Sequence, residues 1–152
     1  MSSQKTFLPL FALLFLIFSY SVTFADIIVN SEGFTVNRHY DEHTDGAIIN
    51  LWKENYHISQ QWDFNTNRTI SSRTNDDFCL NIHNNSIVNG AVVNLWSCNG
   101  HDSQKWRRVG NLIKPLNSPD YCLNLHNYDN SNGATINLWQ CNGHASQDWL
   151  IE

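Results

Sequence analysis

One pattern leaves this chain few ways to fold: the same segment occurs three times. Gly46-Ala-Ile-Ile-Asn-Leu-Trp52, Gly90-Ala-Val-Val-Asn-Leu-Trp96 and Gly133-Ala-Thr-Ile-Asn-Leu-Trp139 are offset by 44 and then 43 residues. Ser-Gln-x-Trp follows at the same offsets, as Ser59–Trp62, Ser103–Trp106 and Ser146–Trp149. A short apolar–polar alternation precedes each, at Phe34–Arg38, Phe78–Ile82 and Tyr121–Leu125. A fixed period of this size marks a repeat architecture, in which no unit buries its apolar face alone. Repeats are expected over about 26–66, 67–109 and 110–152, which leaves none of the chain for a second domain.

Each repeat reads as strands. Apolar residues alternate at period two, and Gly, Asn, Asp and Ser interrupt the runs about every ten residues. No stretch after residue 25 carries a useful helical spacing. Val93 and Leu95 are expected on one face and Asn94 and Trp96 on the other, and Leu80 and Ile82 likewise oppose Asn81 and His83. One face therefore feeds a core. The other collects Asn, His and Trp, which a merely solvated face does not require. An all-β domain follows.

The start of the chain reads differently. Lys5 precedes an almost wholly apolar Phe7–Tyr20, and Thr23-Phe24-Ala25 ends in small residues at the positions a signal peptidase reads. Residues 1–25 are expected to be a secretory signal peptide. The apolar run is shorter than the ~20 residues that span a bilayer, so no membrane insertion is expected. The domain then occupies 26–152, and secretion to the extracellular space is expected.

Secretion suits the cysteines. Cys79 and Cys98 are nineteen apart, as are Cys122 and Cys141. Four cysteines allow three connectivities, and repeat equivalence selects Cys79–Cys98 and Cys122–Cys141. The first repeat has Thr35 and Glu54 at those positions, so both partners are missing together. Each loop should contribute about 3 kcal/mol in an oxidising compartment. The formal charge is −5, or −6 without Lys5, and the longest basic run is Arg107-Arg108. Nucleic acid needs clustered positive charge and is not expected as a partner.

Cys-Leu-Asn, Gly-Ala-x-x-Asn-Leu-Trp, x-Cys-Asn-Gly and Gln-x-Trp together resemble a ricin B-type lectin domain, and the similar family-13 carbohydrate-binding modules, over the whole of 26–152. The resemblance implies a β-trefoil of twelve strands in three pseudo-symmetric repeats of about 42 residues. It also implies a carbohydrate-binding role. A sugar offers a face of C–H bonds and a rim of hydroxyls, which an aromatic plate and short polar groups match. Trp52, Trp96 and Trp139 would be the plates. Asn37, Asn81 and Asn124 would take the main hydroxyl contact, with Asn50, Asn94 and Asn137 as a second polar position. In the family the Gln of Gln-x-Trp braces that contact, a role that falls here to Gln60, Gln104 and Gln147. His83 with Asn99, and His126 with Asn142, complete the expected set. Trp62, Trp106 and Trp149 are expected in the core.

The chain departs from that family where an Asp is commonly the hydroxyl acceptor: all three repeats carry Asn, which adds donors and loses charge. The second polar position is often Gln in the family and is Asn here. The residue before the Gln is Ser in all three repeats. The repeats also differ among themselves. The first has Arg38 where the others have Ile82 and Leu125. The second carries the glycosylation sequon Asn84-Asn85-Ser86 one residue past His83, where a glycan would shield the site. A further sequon is Asn67-Arg68-Thr69. The third repeat is expected to bind best, with Tyr128 as an extra wall.

Six of the seven histidines recur, at His39, His83 and His126 and at His57, His101 and His144. Neither set has carboxylate or Cys partners at ligand spacing, so no metal or cofactor is expected. No nucleophile elbow, zinc-protease or phosphate-loop motif is present. The acidic residues do not recur as the facing pair a glycosidase needs. The expected function is non-enzymatic: a secreted lectin binding glycans or glycoproteins, of galactose type or plant polysaccharide. The alternative is a secreted trefoil of the protease-inhibitor or effector kind that has lost sugar binding. Oligomeric state is not legible.

Overall fold

The computed structural model describes residues 25–152. The expected signal peptide, apart from Ala25, lies outside the described residues. Twelve strands are formed among them, four per repeat, with no α-helix. The first repeat holds β1 (Ile28–Val29), β2 (Phe34–Arg38), β3 (Ile49–Lys53) and β4 (Trp62–Phe64). The second holds β5 (Ile70–Ser72), β6 (Asn75–Ile82), β7 (Ala91–Ser97) and β8 (Trp106–Val109). The third holds β9 (Leu112–Pro115), β10 (Tyr121–Leu125), β11 (Ile136–Gln140) and β12 (Leu150–Ile151). The all-β, three-repeat architecture read from the period is the one the chain adopts.

Equivalent pairs form within each repeat. β2–β3, β6–β7 and β10–β11 are antiparallel, with Asn37 opposite Asn50, Asn81 opposite Asn94 and Asn124 opposite Asn137. β4–β5 and β8–β9 join successive repeats, and β12 pairs with β1, with Ile151 opposite Ile28, to join the third to the first.

A second ring of contacts ties the repeats together. Gly46 N donates to Leu95 O at 2.9 Å, Gly90 N to Leu138 O at 2.8 Å, and Gly133 N to Leu51 O at 2.8 Å. Each Gly-Ala segment is therefore bonded to the Asn-Leu-Trp strand of the next repeat, and the third returns to the first. The residue before each glycine adds a side-chain acceptor. Asp45 Oδ1 takes Ser97 N at 2.6 Å, while Asn89 Oδ1 takes Gln140 N and Asn132 Oδ1 takes Lys53 N, both at 2.7 Å. The turn requires φ of +89°, +84° and +90° at the three glycines, a conformation that L side chains resist.

The core repeats in the same way. Val36, Leu80 and Leu123 are fully buried, as are Leu51, Leu95 and Leu138. Trp62, Trp106 and Trp149 are buried among them. Each indole N–H donates to the main chain of its own repeat, at Val36 O (2.9 Å), Leu80 O (2.9 Å) and Leu123 O (3.0 Å). A buried Trp N–H needs such a partner, and the fixed spacing of 26 residues supplies it three times. These three tryptophans hold the core, as their motif predicts.

Both disulfides form as expected, Cys79–Cys98 and Cys122–Cys141. They tie together the strand ends that flank Trp96 and Trp139. In the first repeat a weaker substitute stands there, where Thr35 Oγ1 donates to Trp52 O at 3.3 Å. Trp149→Ala should destabilise the domain by about 3–5 kcal/mol, the usual cost of emptying a buried aromatic site. Denaturant unfolding under oxidising conditions checks this, and a loss below about 1 kcal/mol would contradict the assignment.

Candidate functional site

Three equivalent hollows open on the surface, one per repeat. Their volumes are ≈ 410 Å³ in the first repeat, ≈ 450 Å³ in the second and ≈ 520 Å³ in the third. In the third, Trp139 forms one wall, and Asn124, His126, Asn142, His144 and Ser146 line the rest together with Tyr128. The second has Trp96, Asn81, His83, Asn99, His101 and Ser103 in the same places. The first has Trp52, Asn37, His39, Asn55, His57 and Ser59. The three Trp plates are half-buried, whereas the Asn at the floor of each hollow is only 6% exposed.

Two of the plates, Trp96 and Trp139, are backed from the neighbouring repeat. Gly46 lies about 4.0 Å from the Trp96 ring and Gly90 about 3.9 Å from the Trp139 ring, measured from where a Cβ would stand. The inter-repeat ring thus sets one wall of a hollow as well as the core.

Behind each hollow runs a chain of polar groups. In the third repeat Ser146 Oγ donates to Asn124 Oδ1 at 2.8 Å, and Asn124 Nδ2 donates to Asn137 Oδ1 at 2.8 Å. Asn137 Nδ2 then meets His126 Nδ1 at 3.1 Å. The second repeat has the same chain through Ser103, Asn81, Asn94 and His83, at 2.8, 2.9 and 3.2 Å. The first has it through Ser59, Asn37, Asn50 and His39, at 2.7, 2.9 and 3.0 Å. Asn50, Asn94 and Asn137 are buried and do not line the hollows. They act through the Asn and His that do.

The glutamines differ from expectation. Gln60, Gln104 and Gln147 are hydrogen-bonded to other groups than the floor Asn37, Asn81 and Asn124. Each is buried and spans its own loop: Nε2 donates to Lys53 O, Ser97 O and Gln140 O, and Oε1 accepts from Asn55 N, Asn99 N and Asn142 N. The brace on the hollow Asn is the preceding serine, whose short hydroxyl reaches it while the longer amide is taken up by the loop. Gln60, Gln104 and Gln147 therefore fix where Asn55, Asn99 and Asn142 stand.

Several lining residues were not in the set expected from the sequence. His57, His101 and His144 stand in the hollows, with Nδ1 accepting from the backbone N–H of Ser59, Ser103 and Ser146 at 3.2, 3.3 and 3.1 Å. The same nitrogens also meet the Oγ of Ser59, Ser103 and Ser146 at 2.8, 3.1 and 3.0 Å. Asn55 and His39 are the first-repeat counterparts of residues that were expected in the others. Their offset of 44 from Asn99 and His83 was the signal that would have found them.

Opposite each plate is a left-handed turn. Tyr40 and Asp41, Asn84 and Asn85, and Asn127 and Tyr128 all have φ between 51° and 55°. Asn tolerates this region better than most residues. Tyr128 packs edge-on against His144 with ring centroids 5.3 Å apart. The first hollow alone has a carboxylate in its lining, Asp41. Arg38, fully buried, holds it at 2.7 Å and also donates to Ile58 O and Gln61 O. Burial draws the Arg38 guanidinium below its ordinary range, and Asp41 draws it back.

With this geometry in place, the relatives are informative. The model of the ricin-type β-trefoil lectin domain matches residues 27–149. The chain belongs to the ricin-type β-trefoil lectin family. No curated protein matches it significantly. Among solved structures it is similar to ThreeFoil, a designed three-fold symmetric protein, with a TM-score of 0.74, 23% identity and coverage of 83% of this chain and 96% of that one. It is also similar to the C-half of an earthworm R-type lectin, solved with GalNAc, at TM-score 0.69 and 22% identity over 84% of this chain and 98% of that one. The β-trefoil lectin of the Vibrio vulnificus hemolysin/cytolysin, solved with N-acetyl-D-lactosamine, gives 0.64 and 17% over 84% and 93%. At these identities the likeness shows the fold, a β-trefoil.

The chain direction fixes a tautomer. With Asn137 Nδ2 as donor, neutral His126 keeps its lone pair on Nδ1 and its proton on Nε2. Ring ¹⁵N NMR at neutral pH should report Nδ1 of His126 unprotonated. A protonated Nδ1 on His126 would mean that the Asn124–Asn137 amides are turned the other way.

Proposed function

We propose that this trefoil is a secreted lectin that binds glycans or glycoproteins non-covalently and performs no catalysis. One observation carries the reading. Three congruent hollows each set a half-buried indole beside two imidazoles and two Asn whose positions are fixed from behind. The indole suits the C–H face of a sugar, and the fixed amides and Nε2–H groups suit its hydroxyls. GalNAc in the earthworm lectin and N-acetyl-D-lactosamine in the Vibrio lectin support galactose-type sugars, with plant polysaccharide as the second class. Shallow sites repeated on one domain favour multivalent glycans, where avidity exceeds the affinity of each site.

The third hollow is the strongest candidate, being the roomiest and having Tyr128 as a further aromatic wall. The second has Asn84, exposed and part of a sequon, in its lining. A glycan there stands at the mouth.

A glycan array with the oxidised protein tests the reading, and binding to no glycan at all would overturn it. Trp139→Ala should weaken binding about tenfold or more, as loss of an aromatic anchor does, while the unfolding midpoint stays near that of the parent. For protein made in a glycosylating host, Ser86→Ala should add binding capacity at the second hollow. Equal stoichiometry by titration calorimetry, with and without Ser86, would show that Asn84 shields nothing.

A further inference from the structure

Away from the three hollows lies a smaller cavity of ≈ 170 Å³, between the β4–β5 turn and β8. Its polar lining is dominated by arginine: Arg68 from the turn, and Arg107 and Arg108 from β8. Phe64, Ile70 and Trp106 form the apolar side. Arg107 Nε is buried and has no hydrogen-bond partner among the described residues. Buried N–H groups are nearly always paired, so an orphan one calls for an explanation.

The charges around it sharpen the point. The protein is acidic, with a formal charge of −5, yet three arginines share one small cavity that no carboxylate lines. The ion pairs among the described residues are Arg38–Asp41 and Arg73–Asp63, and neither uses these arginines. Lys105 adds a fourth cation nearby, its Nζ donating to Asn67 O at 3.0 Å. Asp26 is the carboxylate that feels Arg108, and it stands outside the lining.

We infer that this cavity is a binding site for a tetrahedral oxyanion, a sulfate or phosphate group, free or carried as an ester on a sugar ring. Guanidinium forks match the oxygens of such a group two at a time. The volume admits one such group. The Phe64 and Trp106 edge lies where the body of an ester would rest. The guanidinium groups of Arg68, Arg107 and Arg108, which line the cavity, supply its donors. The site is separate from the Trp hollows, so it stands whether or not those bind sugar.

The test uses protein made without N-glycans, which leaves Asn67 in the adjoining sequon bare. Inorganic sulfate is titrated while arginine Nε–H and tryptophan indole N–H resonances are followed by NMR. The expected result is a saturable shift of Arg107 Nε–H with the Trp139 indole unmoved, and about tenfold weaker binding in Arg107→Gln. Arg108→Gln, at an exposed position, gives a second variant should the first fail to fold. Shifts that do not saturate, or that spread evenly over the lysines and arginines, would overturn the inference. A sulfated monosaccharide, its unsulfated parent and inorganic phosphate separate the sources. Tighter binding of the sulfated sugar than of either free anion assigns an ester, and equal binding assigns the free anion.

Discussion

The structure depends on a ring of three main-chain contacts. Each Gly-Ala turn hydrogen-bonds to the Asn-Leu-Trp strand of the following repeat, and the last repeat closes on the first. A single repeat of this length cannot bury its apolar face by itself. Closure gives each repeat two neighbours, so Leu51, Leu95 and Leu138 reach complete burial at once. The glycines are obligatory because the turn that makes the contact has positive φ. The same turn brings Gly46 and Gly90 against the rings of Trp96 and Trp139. Fold closure and the shape of the hollow are therefore two consequences of one interaction.

The polar chain behind each hollow uses both ends of the Asn that stands where the family commonly has Asp. Asn37 must accept from Ser59 and donate to Asn50, and its amide does both. A carboxylate accepts only, so an Asp there would need Asn50 turned to present Nδ2 and His39 to present Nδ1–H. The Asn pair and the serine thus form one chemical unit, repeated three times. Its effect is to hold the floor amide and one imidazole in fixed orientation before any ligand arrives, which limits the ordering cost of binding.

The first repeat shows how far the frame stretches. It has no disulfide, and Thr35 contributes only a hydrogen bond in its place. Arg38 stands where the others have Ile82 and Leu125, fully buried and joined to Asp41 and to two backbone carbonyls. A buried guanidinium is tolerated when its donors are met in this way. It also puts a carboxylate into the first hollow, so that hollow differs in charge from its two counterparts.

The sequence by itself determined the architecture. The period gave three repeats, alternation gave strands, and equal spacing gave both disulfides, because each is a pattern along the chain that local geometry must obey, while the division of the six tryptophans into core and plate came from the family resemblance. Trp52, Trp96 and Trp139 and the floor Asn, expected from the resemblance, do line the three hollows, and the second polar Asn stands buried behind them. The tertiary structure alone decided which partner each side chain takes. Ser146, not Gln147, braces Asn124, because hydroxyl reach and loop path settle it in three dimensions. His144 joins the hollow because the loop after β11 folds back over β10. The arginine cavity is equally invisible in sequence, since Arg68 and Arg107 stand near opposite ends of the second repeat and meet only when β8 folds back onto the β4–β5 turn, where Trp106 N donates to Arg68 O.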